Sequence, residues 1–319
     1  EIGITTDIEA TIKEEGEIVV SAKLFLDIVR RLPEEIVFIE TDERMVTYIA
    51  CGKVNYQIVG MSSVEYPDLP SFEQTDRITL NAKILRDMIR QTVYAVSENT
   101  AKPIYTGSLY EIEDGVFKII AIDGYRMAIR SENVDSESKN RFVVPGKTQH
   151  EVLKLLTDDE ENTEITTGQR HITFKIKNYR IISRLIEGTF IEYKSAIPKE
   201  TKTEVVINTR TIIDAVERMS LLNNDRIQSP VRCIFSDDEI KLSCTSAVGR
   251  ANDVISVPII GESVEIGFNN RYLLDALKNA DTDEIKLILN GSLTAMIVKP
   301  VKGDSYLSIV VPMRLANEN

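Results

Sequence analysis

Hydrophobic and polar positions alternate along this chain in two periods. Runs of period two read as strands at 36–40, 45–50, 54–59, 78–80, 108–112, 117–122, 141–144, 171–176 and 180–185. The last third adds 204–207, 231–235, 239–244, 264–268, 284–289, 294–299 and 307–311. Asp114-Gly115, Asp123-Gly124, Asp237-Asp238 and Asn290-Gly291 separate strands and read as hairpin turns.

Between the strands, five segments carry a helical period and share a charged frame: a basic residue, an acidic one four positions on, and usually a basic one at the seventh. They are Lys23/Asp27/Arg30, Lys83/Asp87/Arg90, Lys147/Glu151/Lys154, Arg210/Asp214 followed by Glu217 and Arg218, and Arg271/Asp275/Lys278. On a helix these positions share one face, and positions +2, +5 and +6 fall on the opposite one. The latter are Phe25, Ile28 and Val29; Leu85, Met88 and Ile89; Gln149, Val152 and Leu153; Ile212, Ala215 and Val216; Leu273, Ala276 and Leu277. Gln149 alone is polar. Ser21, Asn81, Asn208 and Asn269 stand where an N-cap belongs, and Pro145 takes that place in the third copy.

The frames start roughly 60 to 64 residues apart, the spacing of a repeat with one supersecondary unit per period. A helix followed by three or four antiparallel strands, repeated, is an α+β architecture. Prolines near 66–74 and 198–202 divide the chain into pieces of one, two and two frames, giving segments 1–75, 76–201 and 202–319. If each domain holds two units, the first is incomplete, and a sixth frame is expected about 60 residues before Lys23.

Charge changes the reading of the helices. One helix with a basic-to-acidic i,i+4 pair is ordinary solvated surface. With Lys+Arg 38 against Asp+Glu 50 and a net charge of -12, however, arbitrary exposed faces should be acidic. The predicted outward faces instead carry Lys23, Arg30, Arg31, Lys83, Arg86, Arg90, Lys147, His150, Lys154, Arg210, Arg218, Arg271 and Lys278. A basic stripe inside an acidic protein suits a polyanion, since phosphate neutralisation supplies sequence-independent affinity for DNA.

The 319 residues exceed one ordinary core, and neither a membrane span nor a signal peptide is legible, so a cytoplasmic protein is expected. Cys51, Cys233 and Cys244 share no metal spacing and read as buried thiols. His171 falls in a strand and reads as structural; His150 shares the basic face. The carboxylates Asp158, Asp159, Glu160 and Glu161 read as a solvated loop. No phosphate loop, dinucleotide fingerprint or nucleophile elbow occurs, so no catalytic residues, metal or cofactor are expected.

Four strings are more specific: 122–128 (Ile-Asp-Gly-Tyr-Arg-Met-Ala), 144–147 (Val-Pro-Gly-Lys), 265–269 (Glu-Ile-Gly-Phe-Asn) and 310–315 (Val-Val-Pro-Met-Arg-Leu). Together they resemble the bacterial sliding clamps, the beta subunits of DNA polymerase III, from about Ile4 to Leu315. The resemblance implies a DNA-clamp fold of three similar domains, with helices inside and sheets outside. It implies a ring closed by a head-to-tail homodimer around duplex DNA, acting as a non-catalytic processivity factor in DNA replication. Partners implied are the catalytic subunit of the polymerase, a clamp loader, and other polymerases and repair proteins that bring short peptide motifs.

By the same resemblance, the partner-peptide pocket comprises Gly124, Arg126, Met127, Asn269, Tyr272, Val310, Val311, Pro312, Met313, Arg314 and Leu315, with Tyr105, Ile122 and Leu293 as looser matches. The dimer interface takes Tyr56 from one copy and Leu221 and Leu222 from the other. Departures are Ile191 and Ser195, where the family commonly has proline and a basic residue, and the tail Ala316–Asn319, expected to crowd the pocket. Competing readings are a clamp-fold peptide scaffold that does not encircle DNA, and an enzyme acting on nucleic acid.

Overall fold

A computed structural model describes residues 2–70, 73, 76–157, 161–223 and 229–315. The carboxylates Asp158, Asp159 and Glu160 and the tail Ala316–Asn319 lie outside the described residues. The chain divides into two compact units, one of residues 7–71 and one of 1–6 with 72–319. Strand β1 (Ile2–Thr6) belongs to the larger unit.

The smaller unit holds α1 (Ala22–Val29) and the sheet β2-β3-β4 (Val37–Thr41, Val46–Cys51, Val54–Val59). Its core is small: Ile28, Ile49 and Ile58, with Val20, Phe25 and Leu32 packed against them. Val29, expected on the buried face, is exposed. The outer strand β2 exposes Val37, Phe38 and Ile39.

The larger unit repeats one motif, strand–helix–three strands, four times. The copies are β5 (Asp76–Asn81), α2 (Ala82–Val93), β6 (Gly107–Glu113), β7 (Val116–Ile122), β8 (Arg126–Asn133); then β9 (Asn140–Pro145), α3 (Gly146–Leu155), β10 (Asn162–Thr167), β11 (His171–Ile176), β12 (Tyr179–Arg184). The third is β13 (Thr203–Asn208), α4 (Thr209–Ser220), β14 (Val231–Ser236), β15 (Glu239–Ser246), β16 (Gly249–Ser256). After the short β17 (Ile259–Gly261) comes the fourth: β18 (Val264–Phe268), α5 (Asn270–Lys278), β19 (Glu284–Leu289), β20 (Met296–Pro300), β21 (Tyr306–Val310).

Within each pair of copies the first strands are exchanged. Strand β5 joins β10, β11 and β12, whereas β9 joins β6, β7 and β8; likewise β13 joins β19 and β18 joins β14. Neither copy therefore completes a sheet alone. The two pairs fuse where β8 meets β21 antiparallel, Met127 opposite Ile309, giving a nine-stranded sheet, β17-β13-β19-β20-β21-β8-β7-β6-β9.

Each helix starts where its cap stands. Asn81, Asn208 and Asn269 accept hydrogen bonds from first-turn amides at 2.9–3.4 Å, and Ser21 does so at 3.5 Å. Leu85, Met88, Ile89, Ile212, Ala215, Val216, Leu273, Ala276 and Leu277 are buried against the sheets. Gln149 is buried too, because its amide donates to Ser108 Oγ and Val144 O, both at 3.0 Å.

Two turns match expectation: Asp114-Gly115 and Asp237-Asp238 have positive φ at both central residues. Two do not. The β7–β8 turn lies one residue later, with Gly124 (φ 94) and Tyr125 central, because the Asp123 side chain accepts from both Tyr125 N and Arg126 N. Asn290-Gly291 opens a longer loop before β20, and the Asn290 side chain is spent on Lys202 N and Glu200 O. All three cysteines are buried free thiols, and burial pushes Cys233 up to about 12. Among the described residues no helix is long and apolar enough to cross a membrane.

Candidate functional site

In each of the five α-helices among the described residues the second residue is basic and the first turn contains no acid: Lys23, Lys83, Lys147, Arg210 and Arg271. That placement opposes the helix macrodipole, whose positive end disfavours a cation by about 0.3–1 kcal/mol. Folding stability gains nothing from it. All five residues are exposed, so their charges are presented to solvent. Of the other predicted basic positions, Arg30, His150, Lys154, Arg218 and Lys278 are exposed, and Arg86 and Arg90 are half-buried.

The acidic member of each frame is also consistent. Asp27 pairs with Arg31 at 3.6 Å, Asp87 with Arg90 at 3.5 Å, Glu151 with Lys154 at 2.8 Å, and Asp214 with Arg210 at 2.8 Å. The fifth, Asp275, turns away from its own helix face and meets Arg126. Further acids reach in from elsewhere: Glu217 on α4 meets Lys278 on α5 at 2.6 Å, and Asp253 on β16 meets Arg218 Nε at 2.8 Å. Lys278 holds the Glu217 carboxyl below the usual carboxylate range. These helix faces are basic, but much of their charge is already engaged.

The second candidate region lies where β8, α5 and β21 converge. Arg126, only 6% exposed, is fixed by Asp123 at 3.0 Å and by Asp275. Its guanidinium lies over two rings, 5.4 Å from the centre of Tyr94 and 4.6 Å from that of Tyr272. Beneath it, Tyr94 Oη meets Ser308 Oγ at 2.8 Å and Tyr306 Oη at 3.1 Å. Burial pushes the Tyr94 hydroxyl up to about 12 and the Tyr306 hydroxyl well above its ordinary value. Two more ion pairs cross from the first pair of repeats to the second, Arg90 with Asp281 at 2.5 Å and Glu98 with Arg271 at 3.5 Å.

Above this polar seam the segment after β21 folds back over β18. Val311 N donates to Tyr125 O and Met313 N to Gly267 O, both at 2.8 Å. The Leu315 side chain rests against Gly267, where a Cβ would stand 2.6 Å from Leu315 Cδ2. Pro312, Met313, Leu315 and Tyr272 are half-buried, and Val311 and Arg314 exposed. Val310 is fully buried in the sheet, and Asn269 acts as the α5 cap. Tyr125 stacks on Tyr272, centroids 5.8 Å apart and planes 20° apart, and is 60% exposed. The residues expected in the pocket from sequence include Gly124, Arg126 and Met127 but omit Tyr125, Tyr94 and Asp123, which the fold brings into the same region.

An apolar cluster adjoins: Ile122 and Met127 pack with Ile309, Phe190 and Tyr193, and Tyr105 meets Phe190 edge-on at 5.9 Å. Tyr193 donates to the buried Glu111 at 2.5 Å, which anchors the 190–196 segment. Ile191 and Ser195 on that segment are exposed, as is Leu293 at 83%. Leu221 is 82% exposed at the end of α4, whereas Leu222 packs against the core; Tyr56 is exposed on β4.

Known proteins match this chain along nearly its whole length. Three consecutive segments match the domains of one family: residues 1–70 the DNA polymerase III beta subunit N-terminal domain, 79–192 the central domain and 194–314 the C-terminal domain. The beta sliding clamp of Halalkalibacterium halodurans is 34% identical over 310 residues, 95% of this chain and 82% of the relative's length. That of Bacillus subtilis is 32% identical over 309 residues, with the same coverage. The crystal structure of the Bacillus subtilis sliding clamp superposes with a TM-score of 0.94 at 31% identity, covering 99% of this chain and 86% of that one. A Pseudomonas aeruginosa clamp superposes at 0.93 with 26% identity, covering 99% and 87%. With family domains matched across nearly its whole length, this chain belongs to the DNA polymerase III beta subunit family, the bacterial sliding clamps.

Proposed function

We propose that two copies of this protein close head to tail around duplex DNA and tether the replicative polymerase there, catalysing nothing themselves. The observation that carries this reading is the cation at the second position of all five helices, a placement that opposes each helix dipole. Lys23, Arg30, Lys83, Arg86, Arg90, Lys147, His150, Lys154, Arg210, Arg218, Arg271 and Lys278 then face the phosphates. Such contacts hold position without reading bases.

The sheet edges support closure. The final strands of two repeats, β8 and β21, pair edge to edge within the chain. The final strands β4 and β16 are also terminal in their sheets, and their backbone edges suit the same antiparallel pairing between two copies. Tyr56 sits on β4, and Leu221 and Leu222 follow α4, which packs on β16. The three domains would be 1–75, 76–201 and 202–319.

The groove between Tyr125, Tyr272, the 311–315 segment and the Ile122/Met127 cluster receives short peptides from the polymerase, a clamp loader and other DNA-processing proteins, in the cytoplasm where these act. Arg126 holds that groove together rather than presenting its charge to the peptide. The test is retention after loading: the protein stays on circular duplex and runs off linear duplex. Equal retention on both, or a native mass of one chain with Leu221→Glu changing nothing, favours a peptide scaffold that does not encircle DNA.

A further inference from the structure

The +4 carboxylate of the frame has no evident use in a surface meant for phosphates, yet among the described residues each of the five pairs with an arginine or lysine. Four of these cations lie on the acid's own helix or in the turn that ends it, and Glu217 repeats the arrangement between α4 and α5. The geometry points to Asp27, Asp87, Glu151, Asp214 and Glu217, though not Asp275, as intramolecular competitors for the DNA backbone: we infer that they occupy part of the basic helix faces so that phosphate contacts stay weak and exchangeable. The inference rests on the DNA-facing assignment above and concerns how tightly that face holds DNA.

The pairs have the strength this requires. Arg210 with Asp214 and Lys154 with Glu151 are exposed at 75%/37% and 66%/36%, so each is readily broken by solvent or by an incoming phosphate. A phosphate that takes Arg210 must displace Asp214 and leave that carboxylate beside a polyanion. The cation still attracts DNA at a distance but contributes less on contact. Among the described residues Lys83 and Lys147, by contrast, have no ion-pair partner within 4.0 Å and offer their full charge. The face thus combines a few free cations with a larger number of tempered ones, and a ring bearing it slides instead of sticking.

The test compares the assembled protein with the variant Asp214→Asn/Glu151→Gln, binding a short linear duplex by fluorescence anisotropy across a salt series. Neutralising both acids frees two cations. Binding should tighten by roughly 2- to 30-fold, the fold-change equivalent of two exposed ion pairs, and the slope of log K against log salt should steepen by up to about 2. Asp304→Asn/Glu187→Gln is the control for net charge, since these acids pair with Lys299, Arg170 and Arg184, none of them on the helices. Unchanged or weaker binding by the first variant, or an equal gain in the control, overturns the inference while Lys83→Ala/Lys147→Ala still weakens binding. If that lysine variant has no effect, the DNA-facing assignment itself fails, and the inference with it.

Discussion

The Arg126 guanidinium lies 4.6 Å from the centre of the Tyr272 ring, with the Tyr94 ring at 5.4 Å also beneath it. A cation held over rings and paired with two carboxylates is planar recognition that an ammonium cannot reproduce. Removing it strands Asp123, 9% exposed, without its counter-charge. Arg126→Ala is expected to lower stability by about 3 kcal/mol, in the range for breaking a buried pair, and Arg126→Lys to recover only part. Thermal unfolding of the two variants checks this, and a melting temperature for Arg126→Lys equal to that of the parent protein would contradict the planar role.

The dipole-opposed lysines predict opposite effects on folding and on binding. Lys83→Glu and Lys147→Glu place acids in first turns that have none. Each should stabilise the protein by up to about 1 kcal/mol at low salt while weakening DNA binding several-fold. Chemical denaturation and duplex titration, run on the same samples, read the two effects separately.

Gly267 provides a selective lesion in the proposed peptide groove. Its Cβ would meet Leu315 Cδ2 at 2.6 Å and Met313 O at 3.1 Å, while its strand conformation accepts alanine. Gly267→Ala should therefore displace the 311–315 segment and reduce binding of a polymerase-derived peptide by tenfold or more, about 1.4 kcal/mol. The melting temperature should fall by only a few degrees. Calorimetric titration with the peptide is the measurement, and undiminished affinity would remove that segment from the groove.

Alkaline pH should loosen the seam. Burial raises the Tyr94 hydroxyl from 10.0 to about 12 in the folded protein. The folded state therefore keeps a proton that the unfolded chain releases above pH 10. Stability from this group is fully present below pH 10 and declines as pH rises towards 12, by at most about 2–3 kcal/mol. Cys233, raised from 9.0 to about 12, acts in the same direction from pH 9 upward. Tyrosinate absorbance should rise in step with loss of the native circular dichroism signal; full tyrosine ionisation in a folded protein would contradict the burial.

Much of this was legible in the sequence because strong patterns have one physical solution. Four capped helices begin where Ser21, Asn81, Asn208 and Asn269 stand, and the apolar positions of α2, α4 and α5 are buried as their period requires. The strands that escaped notice, β1, β8, β10, β16 and β17, lack a clean alternation. Residues 249–256 bury only Ile255, and 162–167 are rich in threonine and end with three consecutive buried residues. Arg126 stands in a specific string, but its contacts with Tyr94 and Asp275 join remote parts of the chain, and periodicity carries no signal of that kind. The frame's acids gave the converse difficulty, since their spacing was plain and only geometry revealed that Asp275 leaves the shared face.

The exchange of first strands also sets when this protein can fold. Strand β5 is made early, but its sheet neighbour β10 lies about 80 residues later: Asn81 pairs with Asn162. At a synthesis rate of roughly 5–20 residues per second, β5 waits about 4–16 s on the ribosome for its partner. Strand β8 waits longer still for β21, near the end of the described chain. Exposed edges during that interval are templates for mispairing with other nascent chains. Translation speed across residues 82–162, and the chaperones present while they emerge, should therefore govern the yield of native protein more than its final stability does.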